Sequence, residues 1–311
     1  LGGTPGYVAA IDRLWLDVAG KKQYLTGGVG ARSGSEAFGD SYELPNAEAY
    51  TETCAAIGNA LWNYRLFLLH GESRYMDVFE RVLYNGLLSG VSLTGDRFFY
   101  QNPLESAGGY ARSPWFEVAC CPPNMTRFLP SLPGYVYATK DDTVFVNLFI
   151  GGEGKIDLGG RSVTIVQETR YPWEGGIKLT VSGARPGEFE LAVRIPGWAR
   201  GEAMPADLYK FLDAVGEKPI LRVNGEAVAL DVRDGYARIR RPWKNGDTAQ
   251  LILPMPVRRV LTHEAVADDR GRIALQRGPV VYAAEGVDND NRIFELVLPD
   301  ESGLHLMVEA R

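Results

Sequence analysis

Apolar side chains in the first part of the chain recur at three- and four-residue steps, the spacing of a helix with one buried face. A first helix is predicted over residues 5–20, with an apolar stripe formed by Val8, Ile11, Leu14, Trp15 and Val18. A second helix, capped by Asn46, is predicted to end near His70, and a third is predicted to start from a cap at Ser73. The first part of the chain is therefore predicted to be helical.

After about residue 142 the pattern changes to short β-rich runs separated by Gly, Pro and Asn-Gly turns, such as TVFVNLFI, IKLTVSG and FELAVRIP. The segment VNGE, residues 223–226, is typical of a two-residue type I′ hairpin. We therefore predict a multidomain protein with both α and β parts. Residues 1–142 form the helical part, and residues 143–311 form an all-β sandwich.

Composition narrows the functional classes. The chain has 311 residues, of which 45% are hydrophobic and 23% charged, with a formal net charge of −6. This length allows two domains, and the acidic balance argues against a nucleic-acid-binding protein. No run of about 18 apolar residues predicts a membrane span. The first residues include no Met and no signal peptide and resemble the middle of a longer protein, so we expect a fragment. Reduced thiols favour a cytoplasmic location.

Two of the three cysteines are adjacent, at Cys120 and Cys121 in the segment FEVACCPPN. A disulfide between neighbours would be strained, because bridged Cα atoms usually lie about 5.5 Å apart. The third, Cys54, follows Glu52 by two residues. Three thiolates and one carboxylate form a tetrahedral ligand set that suits Zn²⁺. A zinc site is therefore one interpretation of these residues.

The spacing leaves an alternative open. Residues two apart point to nearly opposite sides of a helix, so Glu52 and Cys54 could share a metal only at an irregular helix start, capped by Thr51 or Thr53. The sequence lacks the C-x-x-C pairs typical of zinc sites. Three unrelated buried cysteines are the other interpretation, because free Cys is among the most buried residue types.

A glycine-rich loop, YLTGGVGARSGSEAFGD, carries Glu36 and Asp40, with Glu43 shortly after. It has no Lys-Ser/Thr ending and follows no clear strand, so phosphate binding is not indicated. Its carboxylates are either solvated or, where one faces a pocket, able to act as a general acid/base.

Other polar groups are scattered. Tyr100 and Asn102 lie in RFFYQNPLES, where a turn or core role is the default. The three histidines, His70, His263 and His305, are distant in sequence from every cysteine. A hydrolase with a Cys–His pair is therefore an unsupported third hypothesis.

Several ordered motifs together resemble glycoside hydrolase family 127, the zinc-dependent β-L-arabinofuranosidases and their close relatives. These are YLTGGVG, GSEAFGDSYELPN, YTETCAAIGNALWNYRL, FFYQNPLES, ACCPPN, RIPGWA and LQRGPVVYAAEG, spread from about residue 24 to about residue 290. The resemblance implies an (α/α)6 barrel catalytic domain followed by β-sandwich domains. Residues 1–142 would then be the C-terminal part of such a barrel.

The resemblance also implies roles for individual residues. It assigns a zinc ion to the ligands Glu52, Cys54, Cys120 and Cys121. Cys120 matches the nucleophile, Glu36 the general acid/base, and Tyr100 a residue that lines the sugar pocket.

The implied activity is the release of L-arabinofuranose from β-L-arabinofuranosides with net retention of configuration. Relatives imply homodimerisation through the β region. A family member is about twice as long, and the pocket histidines that it supplies from upstream match none of the histidines here. A non-catalytic carbohydrate-binding protein with a structural zinc-thiolate site is the alternative.

Overall fold

The computed structural model describes residues 4–183, 187–214 and 216–307 and has mixed helix and sheet. Its helices are α1 (Pro5–Lys21), α2 (Thr53–His70), α3 (Ser73–Arg81), α4 (Cys121–Ser131), α5 (Pro133–Val136) and α6 (Gly197–Arg200). A π-helical segment, Val82–Leu87, and a 3-10 turn, Leu88–Gly90, extend α3. Among the described residues, no helix has the length and hydropathy needed to cross a bilayer.

The predicted first helix is confirmed, although its stripe is rotated: Trp15 is buried, whereas Leu14 is 61% exposed. The predicted start of the second helix is wrong. The Asn46 side chain donates to Asp269 Oδ1 at 2.8 Å, far along the chain, instead of capping a helix. Helix α2 begins instead at Thr53. Its end at His70 agrees with the prediction, because Gly71 adopts a left-handed φ of 76° and ends the helix.

Fifteen strands are found in the described residues: β1 (Tyr137–Lys140), β2 (Thr143–Val146), β3 (Gly152–Asp157), β4 (Ser162–Thr169), β5 (Gly176–Ser182), β6 (Gly187–Arg194), β7 (Tyr209–Phe211), β8 (Ile220–Val223), β9 (Glu226–Val228), β10 (Val232–Arg233), β11 (Tyr236–Trp243), β12 (Thr248–Ile252), β13 (Val257–Thr262), β14 (Ala274–Arg277) and β15 (Val280–Val281). They form three sheets, ordered β1-β2-β6-β11-β10, β3-β4-β5-β12-β8-β9 and β15-β14-β13-β7. Apart from the parallel pair β2–β6, the strand pairs are antiparallel.

The first two sheets share one apolar core, in which side chains of β2 and β6 meet those of β4, β5 and β12. Burial alternates along β4 and β5, as expected of strands with one face on a core. The predicted hairpin is confirmed, because Asn224 and Gly225 both have positive φ, 52° and 86°. Of the β part predicted over residues 143–311, residues 184–186, 215 and 308–311 lie outside the described residues.

A buried ion network joins helix α3 to strand β6. The fully buried Arg194 donates to Asp77 Oδ1 at 2.6 Å and also to Glu80 Oε1, which accepts a further hydrogen bond from Tyr171 Oη at 2.7 Å. Desolvation opposes the charge of Arg194, but the two carboxylates outweigh it and raise the pKa of the guanidinium above its usual range. The network fixes the helical part against the first sheet.

Candidate metal and nucleophile site

The start of α2 is irregular, and this irregularity brings Glu52 and Cys54 to the same side. Glu52 has extended backbone (φ −58°, ψ 139°) immediately before the first helical residue, Thr53, so its side chain is outside the helical repeat. Thr51 has a φ of 36°, a left-handed value that β-branched residues rarely adopt. Its backbone N–H donates to Gly30 O at 2.9 Å, which fixes this turn. The predicted irregular start is therefore present.

The predicted threonine cap is wrong. The Thr51 hydroxyl donates to Asn102 O and the Thr53 hydroxyl to Phe99 O at 2.8 Å, so both bind the neighbouring segment instead of the first turn of α2. The Thr53 backbone N–H also donates to Tyr100 O at 3.0 Å. These bonds tie the segment that carries Tyr100 to the turn that carries Glu52.

Close packing explains the glycine-rich loop. A Cβ at Gly27, whose φ is 84°, would lie 2.8 Å from the backbone nitrogen of Val82, and one at Gly28 would lie 3.1 Å from Thr51 Cγ2. Such distances exclude an undistorted larger residue at Gly27. Gly27 and Gly28 thus let the loop lie directly against Val82 and against the turn that holds Glu52.

The adjacent cysteines lie where α4 begins. Cys121 is its first residue and is fully buried, and Cys120 precedes it and is half-buried. Pro122 and Pro123 follow in the first turn, where a missing N–H leaves no helical hydrogen bond unmade. The helix start thus directs both thiols to one point.

The structure brings together the four donors that the sequence singled out. One ligand atom from each of Glu52, Cys54, Cys120 and Cys121 lies within 4.8 Å of all the others. The Sγ atoms of Cys54 and Cys120 lie 3.4 Å and 3.7 Å from Cys121 Sγ. Glu52 Oε1 lies 3.1 Å from Cys120 Sγ and 3.5 Å from Cys121 Sγ.

These distances fit a small tetrahedral ion. With Zn–S near 2.3 Å and Zn–O near 2.0 Å, a tetrahedron has S–S edges of about 3.8 Å and S–O edges of about 3.5 Å. The four edges given above lie within about 0.4 Å of these values, and the two edges from Cys54 to Cys120 and to Glu52 are no longer than 4.8 Å. Three sulfurs in the set favour a thiophilic ion such as zinc over Mg²⁺ or Ca²⁺. The residues therefore fit the metal that the resemblance implies.

Without a metal, the three thiols compete for protons. Hydrogen bonding from Cys121 lowers the pKa of Cys54 to about 7, whereas burial raises the pKa of Cys120 to about 11. The hydrogen bond to Cys54 also raises the pKa of Cys121 well above its usual value. One thiolate is thus stabilised by protonated neighbours, and a cation would have to displace those protons.

Two tyrosines connect this cluster to Glu36. Tyr100 Oη lies 3.2 Å from Cys120 Sγ, and this contact raises the pKa of the Tyr100 hydroxyl above its usual range. The buried Tyr50 has its ring centroid 6.4 Å from that of Tyr100, and its hydroxyl lies near the Glu36 side chain. Burial, followed by the interaction with Glu36, raises the pKa of Tyr50. Glu36 itself has a left-handed φ of 50° and is exposed.

The remaining predicted polar residues lie elsewhere. Glu43 and Asp40 pair with Arg32, with Arg32 Nε donating to Glu43 Oε1 at 2.7 Å. His70 Nε2 lies 2.9 Å from Asp12 Oδ1, while His263 stacks on Tyr42.

No histidine of the described chain is hydrogen-bonded to a cysteine or belongs to the four-donor cluster. The structure therefore gives the Cys–His hypothesis no support.

Sequence reasoning missed two residues of the site. Tyr50 gave no signal, because it resembles any buried tyrosine. Asn124 lies three residues after Cys121, on the same face of α4, and its Nδ2 lies 3.0 Å from Cys54 Sγ. The spacing within CCPPN could have indicated it.

Family models match almost the whole chain. Residues 1–134 match the beta-L-arabinofuranosidase GH127 catalytic domain, residues 143–255 the GH127 middle domain, and residues 257–308 the glycoside hydrolase family 127 C-terminal domain.

Individual relatives agree with these matches. A non-reducing end beta-L-arabinofuranosidase of Bifidobacterium longum is 31% identical over 96% of this chain, which spans 45% of that relative's length. A solved GH127 beta-arabinofuranosidase is 52% identical, with a TM-score of 0.88, over 91% of this chain and 44% of its own. A GH127 beta-L-arabinofuranosidase from Geobacillus stearothermophilus is 43% identical, with a TM-score of 0.80, over 88% and 43% of the respective chains. The chain belongs to glycoside hydrolase family 127.

Proposed function

We propose that this chain carries the catalytic centre of a retaining β-L-arabinofuranosidase, with Cys120 as nucleophile and Glu36 as general acid/base. The observation that carries the proposal is the grouping of Glu52, Cys54, Cys120 and Cys121 within 4.8 Å, in contact with Tyr100. The names of its relatives support the substrate class.

The four clustered residues would hold Zn²⁺. When bound, zinc would keep the thiols deprotonated at neutral pH, where a free thiol with a pKa of about 8.5 is mostly protonated. Cys54 and Cys120 are both half-buried, whereas Cys121 is buried. Of the two half-buried sulfurs, that of Cys120 contacts Tyr100, the proposed pocket residue, so it is the one that we expect a sugar to reach.

In the first step, Cys120 Sγ attacks the anomeric carbon and the bond to the leaving oxygen breaks. Glu36 donates its proton to that oxygen, and a thioglycosyl-enzyme forms. In the second step, the Glu36 carboxylate takes a proton from water, the water oxygen attacks the anomeric carbon, and the C–S bond breaks. Two inversions give net retention.

Tyr100 and Tyr50 would position these groups. The Tyr100 hydroxyl, 3.2 Å from Cys120 Sγ, is placed to orient the sulfur and to line the sugar pocket. Phe116 packs edge-on against the Tyr100 ring, with centroids 5.4 Å apart, and restricts its movement. Tyr50, whose hydroxyl lies near Glu36, would orient the Glu36 carboxyl group by donating a hydrogen bond to it.

We further propose the domain organisation that the family suggests: residues 1–142 as part of an (α/α)6 barrel, and residues 143–311 as β-sandwich. The core shared by the first two sheets supports the sandwich assignment. The packing of α2 on α3 and α4 is consistent with a helical catalytic part.

The test is native mass spectrometry after incubation with a bromoacetamide attached to the anomeric position of β-L-arabinofuranose. We expect one bound zinc and one covalent adduct that maps to Cys120. The mirror-image β-D reagent is the matched control and should label far less. The Cys120→Ser variant should show no adduct.

Two outcomes would contradict the proposal. An adduct on Cys54 would assign the nucleophile to another sulfur. Zinc without any adduct would favour the alternative, a carbohydrate-binding protein with a structural zinc, because four protein ligands also fill the sphere of structural sites. That alternative predicts that Cys120→Ser weakens folding while sugar binding survives.

Retention is tested separately. ¹H NMR of the reaction at early times should show the β anomer of free L-arabinofuranose as the first-formed product. A first-formed α anomer would exclude the two-step scheme.

A further inference from the structure

Besides Tyr100, the polar side chain of Asn124 contacts the cluster without belonging to the proposed ligand set. Asn124 lies in the first turn of α4, where its backbone N–H donates to Cys120 O at 3.1 Å. Its side-chain Nδ2 lies 3.0 Å from Cys54 Sγ. The first turn of α4 thus supplies Cys121 to the cluster and also an amide to the sulfur that comes from the other helix, α2.

The orientation of that amide is determined by its neighbour. Arg127 Nη2 donates to Asn124 Oδ1. A guanidinium carries donors only, so it selects the amide oxygen and turns the NH₂ group toward Cys54. The three-residue spacing from Asn124 to Arg127 places both on one face of α4, as does the spacing from Cys121 to Asn124.

The Asn124 amide donates to one particular sulfur of the cluster, that of Cys54. Cys54 accepts the Asn124 amide, whereas the polar contact of Cys120 outside the cluster is with Tyr100. In the proposed mechanism Cys120 attacks the sugar and Cys54 does not. A fixed donor on Cys54 therefore acts on a permanent ligand and leaves the nucleophile unaffected.

We propose that Asn124 is a positioning residue that holds the Cys54 thiolate in its metal-binding orientation, and that Arg127 fixes Asn124 for this role. The inference rests on the proposed metal centre. Groups that orient metal ligands typically contribute about 10–100-fold to metal affinity.

The experiment measures zinc affinity by competition with a chromogenic chelator. Asn124→Leu, which is close in shape and has no donor, should lower the affinity by about 10–100-fold. Arg127→Met should lower it less, because the amide remains but is free to turn. The double variant should be no weaker than Asn124→Leu, because Arg127 acts only through Asn124.

A spectroscopic measurement separates this role from a general structural one. In the cobalt-substituted protein, loss of a donor on a thiolate raises the sulfur lone-pair energy, so the sulfur-to-cobalt charge-transfer band should move to longer wavelength in Asn124→Leu. Thr126→Val is the matched control on the same helix, since its hydroxyl bonds only to Pro123 O among the described contacts. It should change neither affinity nor spectrum.

The outcomes are distinguishable. Wild-type protein that binds no zinc would overturn the metal centre itself. Tight wild-type binding with an Asn124→Leu affinity within about twofold would overturn only the role of Asn124, as would additive losses in the double variant. If Asn124→Leu does not fold, the exposed Arg127→Met variant still tests the inference, because an unchanged affinity and spectrum there would contradict it.

Discussion

At the scale of single residues, Glu36 combines an uncommon backbone conformation with a defined partner. Its left-handed φ of 50° belongs to a residue without the freedom of glycine, and its side chain lies near the buried Tyr50. Such conformations persist where the surrounding structure fixes them, and they occur often at functional sites. Here the bridge between Arg32 and Ala37 closes the loop around Glu36.

Glu36→Gln should slow hydrolysis of β-L-arabinofuranosides with alkoxide leaving groups by about 10²–10⁴-fold, the usual contribution of a general acid/base. Formation of the thioglycosyl-enzyme from a nitrophenyl substrate should fall much less, because nitrophenolate leaves without a proton. Burst-phase kinetics with both substrates measure the difference.

The matched control is Glu48→Gln, which changes an exposed carboxylate between Glu36 and Glu52 in sequence and should retain wild-type rates. If Glu36→Gln lowered the rate equally for substrates with alkoxide and nitrophenolate leaving groups, Glu36 would not be the general acid.

The Arg32–Glu43 pair gives a prediction about pH. The hydrogen bond from Arg32 lowers the pKa of Glu43 to about 2, from 4.5 in the unfolded chain. A carboxyl whose pKa is lowered on folding stabilises the fold above its unfolded pKa, and that contribution is lost as the pH falls from 4.5 through about 2. Arg32→Gln should return the Glu43 pKa toward 4.5. A ¹³C NMR titration of the Glu43 carboxyl measures it, and an unchanged midpoint would contradict the assigned cause.

At the scale of elements, the contact between α3 and β6 depends on one buried cation. Arg194→Met leaves the buried Glu80 without its counter-charge and removes one of the two arginines that pair with Asp77, the other being Arg200. Removing one partner of such a pair typically costs about 3–5 kcal/mol in the free energy of unfolding. Urea unfolding should show a loss of this size.

Arg240→Met is the matched control, because it breaks an ion pair with Asp142 in which both side chains are about half exposed. Surface pairs contribute about 0–1 kcal/mol. Equal losses in the two variants would show that burial does not decide the contribution of Arg194.

At the scale of the whole molecule, residues far along the chain hold the loop that leads to the site. Asn46 Nδ2 donates to Asp269 Oδ1 at 2.8 Å, and Asn85 Nδ2 donates to Pro279 O at 3.0 Å. Arg272 pairs with Glu105 on the neighbouring segment. The region that matches the family's C-terminal domain therefore contacts segments on both sides of the turn that carries Glu52.

Asp269→Ala should increase hydrogen–deuterium exchange in residues 46–52, because it removes the partner of the Asn46 side chain. Exchange in α3, which this contact does not touch, should stay unchanged. Glu153→Ala, an exposed change on β3, is the control. Unchanged exchange in residues 46–52 would mean that the loop is held without Asp269.

Local chemistry explains which predictions from the sequence were right. The proline at the start of α1, the glycine after α2 and the Asn-Gly turn between β8 and β9 each restrict their own backbone, so these features could be predicted from neighbouring residues. The predicted cap at Asn46 was wrong because the Asn46 side chain is hydrogen-bonded to Asp269, 223 residues away in sequence. The apolar stripe of α1 was rotated because periodicity indicates a buried face without saying which elements pack on it.

The sequence by itself determined the change from helix to strand, the chemical identity of the four candidate ligands and the family to which the motifs belong, because residue types and short spacings carry that information. Only the tertiary structure decided that the four donors meet. Glu52 and Cys54 share a side because Thr51 and Thr53 donate hydrogen bonds that hold an irregular turn in place. The acceptors are backbone carbonyl groups of other segments, those of Gly30, Phe99, Tyr100 and Asn102. The same holds for Tyr50 and Asn124, whose roles arise from what folding places beside them.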